Sequence, residues 1–349
     1  MKVPVDTSSA GKAFRNPQSA IRIFKGVLSL QLDLVTVGSL FVEVTPTHPG
    51  ETLDTAHQYT LVAGGAAANT VFALARLGVN AYFITAVGDD EFGTLAMHEL
   101  AAFGLDTAGV RRVAGQLTPV TFCAVDLHGG KQFRFYRFPG YSSPMHELSA
   151  EDFQAVTRCR LFDFSEGSLR ESSLRPLVFQ AARVARAAGA AVLYAVNLRR
   201  SAWNMPDDAI RAIEQEAIAL ADIIVLNAEE LAFISGNAED GIRALQQLGP
   251  SVVVVTRGGE GEMTVAVGSE RAACPPYQVP VVYDVGAGDT FHAGLVAAAL
   301  KHHLPAMTLT EWNEAIRFGA ATAAIRVSTS ADPRDLPTAE QVERWMKTK

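Results

Sequence analysis

The sequence predicts an α/β fold in which helices cover both faces of a mostly parallel sheet. From Leu32 onward, β-prone apolar runs alternate with Ala-rich helical runs, which is the pattern of repeated βα units. The exception is a pair of β-prone runs around His128-Gly129-Gly130, which predicts a hairpin outside the main sheet. Neither an internal repeat nor a low-complexity linker interrupts the 349 residues, so we expect one main core.

The first part of the chain predicts two βα units. Gly78 and Gly104 each follow an Ala- and Leu-containing run, a position where glycine commonly ends a helix. The predicted elements are a strand over 34–37, an extended piece over 42–44, a helix over 66–77, a strand over 81–87 and a helix over 92–103.

Alternation resumes after the hairpin, whose strands we place at 121–126 and 132–138. Ser149 is predicted to cap a helix that carries Asp152 at its third position. The remaining helices are predicted at 150–158, 173–188, 208–220, 238–248, 288–300 and 310–327. The remaining strands are predicted at 161–164, 191–196, 223–226 and 252–256, with a short antiparallel pair at 263–267 and 271–274.

The composition excludes several classes of function. A net charge of −7 and a pI near 5.7 provide no basic surplus for nucleic acid or an anionic membrane. No apolar run reaches the ~18 residues that a membrane span needs. Cys123, Cys159 and Cys274 form no CxxC pair, so we expect buried thiols in a reducing cytoplasm and no zinc site.

Residues 1–32 differ from the rest of the chain. They contain five Lys and Arg residues but only Asp6 as an acid, and their apolar residues are irregularly spaced. We interpret them as an extension of unknown role, with a transit peptide as the alternative. Residues 33–349 are then the main domain.

The most informative segment is Asp284-Val285-Gly286-Ala287-Gly288-Asp289-Thr290-Phe291. It follows a strand-like apolar run at 279–282 and opens an Ala- and Leu-rich helix. A small-residue loop that leads into a helix gathers unpaired N–H groups and the positive end of the helix dipole, which favours a phosphate. Asp289 at the same point suits a base that takes a proton from a nucleophile. The alternative is an Asp that caps a helix after a Gly-rich turn.

Two other segments place polar groups at helix starts. Gly64 and Gly65 allow a ligand to approach the backbone, and the amide of Asn69 suits a sugar hydroxyl. Asn227 and Glu230 follow a strand and lie one helical turn apart, where they can face phosphate oxygens and the water shell of Mg²⁺. The alternatives are a tight turn in the first case and a capped helix in the second.

A third Gly-containing segment ends the strand at 252–256. Thr256, Gly258 and Gly261 fit contact with a nucleotide, and they fit an ordinary hairpin turn equally well. Two other nucleotide folds are excluded, because the chain has neither GxxxxGK[ST] nor a GxGxxG after its first strand.

In combination, these segments resemble the PfkB (ribokinase-like) family of carbohydrate kinases over residues 34–345. The matching segments are Gly64-Gly65 to Asn69 with Ala73 to Gly78, Gly88-Asp89-Asp90-Glu91-Phe92-Gly93, the NxxE of Asn227 and Glu230, and Gly286-Ala287-Gly288-Asp289 with Phe291 and Gly294. The nearest similarity within the family is to fructokinases and 2-keto-3-deoxygluconate kinases.

The resemblance implies a three-layer α/β/α fold with a small β lid, here at about 40–62 and 118–140, that often forms a homodimer interface. It implies transfer of the γ-phosphoryl of ATP to a hydroxyl, with Mg²⁺. The implied base is Asp289, and the implied anion hole is the loop Gly286, Ala287, Gly288 and Asp289. The implied nucleotide residues are Asn227, Glu230 (which also holds Mg²⁺ through water), Thr256, Gly258 and Gly261. The implied acceptor residues are Glu43, Gly64, Gly65, Asn69 and Glu166.

Three positions depart from the family pattern. Glu43 stands where an acceptor-binding Asp is usual, so the pocket size is in question. Tyr283 replaces an Asp that supports a monovalent cation, which leaves a role for K⁺ open. The usual Asp-Pro-Asn is Ala195-Val196-Asn197, although Arg199 and Trp203 follow it as in fructokinases and 2-keto-3-deoxygluconate kinases.

We therefore predict a cytoplasmic, ATP-dependent kinase that acts on a small sugar or sugar acid resembling fructose or 2-keto-3-deoxygluconate. An adenosine-like nucleoside kinase of the same family is the first alternative. A non-catalytic member that binds a ligand or a partner protein is the second.

Overall fold

A computed structural model describes residues 32–48, 50–126, 130–135, 144–145, 147–236, 238–259 and 261–349. The predicted extension at 1–32 lies outside these residues except for Leu32, as does part of the predicted hairpin, at 127–129 and 136–138. None of the helices in the described ranges has both the length and the apolar composition needed to cross a bilayer.

The main sheet has nine strands. In spatial order they are β13 (Glu270–Cys274), β12 (Met263–Val267), β11 (Val252–Thr256), β10 (Ile223–Asn227), β9 (Ala191–Ala195), β8 (Cys159–Ser165), β1 (Leu32–Val37), β4 (Ala81–Gly88) and β5 (Val110–Val113). Neighbours are parallel except at one edge, where β12 is antiparallel to both β11 and β13. The carboxyl ends of the parallel strands therefore meet along one edge of the sheet.

Helices cover both faces of this sheet, which confirms the predicted three-layer α/β/α fold. One face carries α1 (Ala66–Arg76), α2 (Glu91–Ala102), α8 (Ala287–Ala299), α9 (Leu309–Thr329) and α10 (Ala339–Met346). The other carries α3 (Ala150–Val156), α4 (Arg175–Ala187), α5 (Asp207–Leu220), α6 (Ala228–Ser235) and α7 (Gly241–Gln246). Successive residues of a strand point to opposite faces of the sheet, so Leu34 packs with the first set of helices and Val35 packs with the second.

A second, four-stranded sheet stands apart from the first. Its order is β3 (Tyr59–Gly64), β2 (Phe41–Pro46), β6 (Val120–Val125) and β7 (Lys131–Phe135). The predicted hairpin corresponds to β6 and β7, which are antiparallel. The side chains of Glu43 and Thr121 occupy paired positions in neighbouring strands, so they share one face.

Local sequence signals account for the helix ends. Ser149 and Asp152 form the predicted reciprocal cap of α3, and Gly78 has the positive φ of +81° expected just beyond α1. Helices α8 and α9 approach closely because both present glycine. A Cβ on Gly294 would lie 2.8 Å from the Cα of Gly319, so no larger residue fits there.

Some predicted elements are wrong or were missed. The run at 279–282 is not a strand: the N–H of Val282 donates to the carbonyl of Val327 at 2.7 Å, so the segment follows the end of α9 instead of entering a sheet. The helix predicted at 238–248 begins only at Gly241, because Asp240 caps it. The predicted elements do not include β3, β5 or α10, and they include α6 only as an alternative.

One buried carboxyl group is not part of the cavity lining. Glu214, on α5, is fully buried and accepts a hydrogen bond from the hydroxyl of Tyr194 at 2.6 Å, while its Oε1 has no partner among the described residues. Burial raises the pKa of Glu214 to about 8, and the nearby charges of Glu166 and Glu230 act in the same direction. The native protein therefore holds this carboxyl protonated at neutral pH.

Candidate active site

The main cavity opens at the carboxyl ends of the parallel strands and has a volume of about 560 Å³. Parallel α/β sheets commonly bind ligands in this position. Eight of the predicted site residues line it: Asn227, Glu230, Thr256, Gly258, Gly286, Ala287, Gly288 and Asp289. The other predicted site residues do not: Glu43, Gly64, Gly65, Asn69, Glu166 and Gly261.

The start of α8 is the place where the sequence predicts an anion site. Gly286 takes the left-handed conformation, with φ +80°, and turns the chain into the helix. The N–H of Ala287 donates to the carbonyl of Asp284 at 3.2 Å, so it is not available to a ligand as the sequence had suggested. The N–H groups of Gly288 and Asp289 have no intrahelical acceptor because they belong to the first turn.

Asp289 lies beside these two N–H groups, and its carboxylate is held from α1. The side-chain amide of Asn69 donates to its Oδ2 at 3.0 Å. Desolvation by the surrounding protein raises the pKa of Asp289 to about 6. The Asn69 hydrogen bond and the charges of Arg199 and His292 oppose that increase, so the carboxylate remains ionised at neutral pH.

Glu43, Gly64 and Gly65 form a packed unit next to Asp289. A Cβ on Gly64 would lie 2.4 Å from the carboxyl carbon of Glu43, so glycine is required there. Gly65 has φ +112° and donates its N–H to Oε1 of Glu43 at 3.4 Å. Burial raises the pKa of Glu43, and the Gly65 hydrogen bond opposes the increase. Glu43 therefore fixes the loop before Asn69.

Asn227 and Glu230 cap α6 reciprocally while they line the cavity. Asn227 Oδ1 accepts the N–H of Glu230 at 2.9 Å, and Glu230 Oε2 accepts the N–H of Asn227 at 2.8 Å. Glu230 Oε1 accepts the N–H of Leu198 at 2.7 Å, which ties the loop after β9 to α6. Asn227 and Glu230 thus cap the helix and also line the cavity, so the two interpretations of this segment are compatible.

The end of the cavity near Thr256 and Gly258, away from Asp289, suits a flat apolar group. Thr256 ends β11, and Gly258 beside it has φ +61°; a Cβ added to Gly258 would meet no atom within 4 Å. Gly261 instead packs on Arg257, whose Cδ would lie 3.0 Å from an added Cβ. The apolar wall consists of Tyr277, Val279, Val281, Ala320, Ala324 and Val327.

Glu166 lies below the site instead of facing it. It is 1% exposed, accepts a hydrogen bond from the indole of Trp203, and forms an ion pair with Arg170 at 3.4 Å. Burial raises the pKa of Glu166, and Arg170 opposes the increase. The contacts indicate that Glu166 positions Trp203 and the loop after β9.

Two cationic side chains reach the cavity near Asp289. Lys131, on β7, forms an ion pair with Asp284 at 2.9 Å. Arg199 lies with its guanidinium 5.8 Å from the centre of the Phe133 ring, and its charge lowers the pKa of Asp289. The second sheet thus contributes residues to the same cavity as the main sheet.

The predicted site does not include three buried polar residues that line the cavity floor: Thr36, Asp163 and His292. Oδ1 of Asp163 lies 2.9 Å from Nε2 of His292, and its Oδ2 accepts the hydroxyl of Thr36 at 2.8 Å. The available signal was an Asp within the otherwise apolar run of β8 and a His three residues after Asp289.

Comparison with known proteins gives a consistent result. Residues 31–339 match the pfkB family carbohydrate kinase domain. The chain is 31% identical to fructokinase-1 of Oryza sativa subsp. japonica over 90% of its own length and 98% of that protein. It is 34% identical to a fructokinase of Klebsiella pneumoniae over 77% of its own length and 85% of that protein.

Solved structures share the fold. A fructokinase from Xylella fastidiosa with bound ATP superposes with a TM-score of 0.78 at 24% identity, covering 90% of this chain and 98% of that one. Aminoimidazole riboside kinase from Salmonella enterica, complexed with its riboside and an ATP analog, superposes with a TM-score of 0.74 at 26% identity, covering 90% and 100%. The chain therefore belongs to the pfkB family of carbohydrate kinases and is a phosphotransferase that acts on a sugar hydroxyl.

Proposed function

We propose that this kinase transfers the γ-phosphoryl of ATP to a hydroxyl of a fructose- or 2-keto-3-deoxygluconate-like acceptor, with Asp289 as the base. One observation supports the proposal above all. The Asp289 carboxylate, held by Asn69 at 3.0 Å, lies at the start of α8 beside the free N–H groups of Gly288 and Asp289. A base and an anion site in one small volume are what phosphoryl transfer to a hydroxyl requires.

The nucleotide would occupy the half of the cavity between β10, β11 and α9. Its base would contact the apolar wall, and its phosphates would extend past Thr256 and Gly258 toward the start of α8. The N–H groups of Gly288 and Asp289 would hold the transferring phosphoryl group, because charge develops there during transfer. A fructokinase that shares this fold has been solved with bound ATP.

The residues present suit Mg²⁺ held mainly through water. Both carboxylate oxygens of Glu230 already accept backbone N–H groups, and no group of three metal-binding side chains occurs in the described ranges. Mg²⁺ usually retains several waters and binds substrate phosphates. When bound, it would neutralise phosphate charge, and Glu230 and Asn227 would orient its water shell.

The acceptor would lie between Asn69, Asp289 and the second sheet. Asn69 supplies an amide for a hydroxyl, and Glu43 shapes the pocket from behind Gly64. Arg199 and Lys131 add positive charge at this end of the cavity. That charge favours a sugar acid, whereas the fructokinase relatives favour a neutral ketose.

A panel of acceptors tests the function. ADP release would be measured with fructose, 2-keto-3-deoxygluconate, ribose and adenosine, with ATP and Mg²⁺ in excess. We expect the highest kcat/KM with one of the first two compounds. Activity on adenosine alone would favour the nucleoside kinase, a class that the similarity to aminoimidazole riboside kinase keeps open. Inactivity with every compound would favour the non-catalytic alternative.

We expect the activity to be independent of K⁺. The Asp that supports a monovalent cation in the family is Tyr283 here, and the guanidinium of Arg326 lies 5.6 Å from the centre of its ring. Arg326 is 2% exposed, so a fixed positive charge already occupies this region and would repel a second cation. Rates in K⁺ and in tetramethylammonium at equal ionic strength should agree, and a severalfold activation by K⁺ would contradict the expectation.

We propose that the second sheet is a lid over the acceptor and a homodimer interface. Lys131 extends from it into the cavity, which suits a cover. On the opposite face, Val44 pairs with both Leu61 and Phe122, and Leu61 is 38% exposed. Leu61 is the exposed member of this apolar group, since Val44 is only 8% exposed, and an exposed apolar side chain on a sheet face suits burial against a second copy.

Substitution of Leu61 tests the dimer. We expect the unmodified protein to have the mass of a dimer by light scattering, and Leu61→Lys to be monomeric because a charge would then be buried in the interface. Leu117→Lys is a matched control, since Leu117 is also exposed, at 57%, but lies outside the four strands. A monomeric unmodified protein would contradict the proposal.

A further inference from the structure

The cavity floor contains a buried polar network that the proposed mechanism does not use. It consists of Thr36 on β1, Asp163 on β8 and His292 on α8, which are 1%, 4% and 6% exposed. Thr36 and Asp163 are register partners in adjacent parallel strands. Polar groups so deeply buried are costly unless each is hydrogen-bonded, so their juxtaposition requires an explanation.

The contacts link the sheet to the helix that carries Asp289. The Thr36 hydroxyl donates to Asp163 Oδ2 at 2.8 Å, and Asp163 Oδ1 lies 2.9 Å from His292 Nε2. His292 is three residues after Asp289 on α8, and side chains at that spacing share a helix face. Both oxygens of Asp163 are therefore occupied, one by the sheet and one by α8.

The imidazole retains one free ring nitrogen. His292 Nδ1 is buried and has no hydrogen-bond partner among the described residues, although the residue lines the cavity. A purely structural anchor would satisfy both nitrogens more cheaply, since an unpaired buried polar atom is destabilising. Asp163 thus fixes the orientation of the ring on the helix face that it shares with Asp289.

We propose that Thr36, Asp163 and His292 act as positioning residues for Asp289: the network fixes the first turns of α8 on the sheet, and His292 borders the base from one helical turn away. The proposal rests on the proposed function, because it takes Asp289 to be the base. The charged groups that face Asp289 are His292 on its own helix, Arg199 after β9 and Glu43 on β2. Those that face His292 are Asp163 and Asp289.

Two His292 variants separate position from charge. His292→Gln retains a donor for Asp163 but carries no charge, whereas His292→Ala removes both. A base works only when ionised, so the rate of the unmodified enzyme should fall as the pH drops through the Asp289 pKa of about 6. We expect this acidic limb to move to higher pH in both variants, and kcat at pH 8 to fall about tenfold in His292→Ala but less in His292→Gln.

A double-mutant cycle tests whether the three residues form one unit. Thr36→Val keeps the shape of the side chain but removes the hydroxyl that holds Asp163. We expect it to lower kcat severalfold in the unmodified enzyme and to have almost no effect in the His292→Ala background, because its influence passes through His292. Circular dichroism and urea midpoints would verify that each variant is folded.

The outcomes distinguish this inference from the proposed function. If Asp289→Asn keeps its activity, Asp289 is not the base and the proposed function fails. If Asp289→Asn is inactive but His292→Ala has an unchanged acidic limb, the positioning role is wrong while the base stands. Independent, additive effects of Thr36→Val and His292→Ala would also overturn the inference.

Discussion

Asp289→Asn should lower kcat by about 10²–10⁴-fold, the usual contribution of a general base. The amide has the same shape and can still face Asn69, but it cannot accept the proton from the acceptor hydroxyl. Because the free N–H groups at the start of α8 are backbone groups, the substitution leaves them in place. We therefore expect the KM for ATP to change little, as steady-state kinetics on the preferred acceptor would reveal.

Asp284→Asn is the matched control. It removes a carboxylate from the same loop, but one that is 42% exposed and paired with Lys131. Exposed ion pairs contribute little, so the loss of activity should be far smaller. Equal losses in the two variants would indicate that the net charge of the loop, and not proton removal by Asp289, controls the rate.

Glu214→Gln should make the protein more resistant to unfolding at neutral and alkaline pH. The unfolded chain loses the Glu214 proton near pH 4.5, whereas the native state keeps it until about pH 8. Burial of Glu214 therefore does not lower the free energy of unfolding below pH 4.5. It lowers that free energy increasingly as the pH rises from 4.5 to about 8, and by a constant amount above that. At pH 7 the difference in the free energy of unfolding should be on the order of 3 kcal/mol.

Urea unfolding followed by far-UV circular dichroism, from pH 5 to pH 9, would measure this effect. The quantity of interest is the difference between the variant and the unmodified protein, since Glu43, Glu166 and Glu230 also have raised pKa values. Glu216→Gln is the control: it changes the same helix at a side chain that is 56% exposed. Parallel pH dependences of Glu214→Gln and the unmodified protein would contradict the expectation.

The layered fold could be predicted because its signals are local. Apolar runs mark the strands, and glycines such as Gly78 mark helix ends where only a positive φ continues the chain. Because strands and helices alternate along the chain, the pattern then implied that the strands pair in parallel. The placement of β12 and β13 followed from the same reasoning, since two short runs joined by a tight turn pair antiparallel.

The candidate site was less predictable where it depends on contacts distant in sequence. Asp163 and His292 are separated by 129 positions, and nothing local indicates that they meet. Ala287 is a similar case, because only the turn geometry shows that its N–H already has an acceptor in the carbonyl of Asp284. Glu166 follows a strand, as many ligand-binding residues do, but its Oε1 contacts both Trp203 and Arg170 instead of facing the cavity.

The hydrogen bond between Asn69 and Asp289 joins residues 220 positions apart. A ribosome that adds roughly 5–20 residues per second needs on the order of 10–40 s to synthesise the intervening chain. A nascent polypeptide can thus complete most of the parallel sheet before the proposed proton acceptor, Asp289, exists. If Asp289 is the base, activity arises only when α8 and the segment after it have emerged and docked, so premature termination before α8 should yield an inert product.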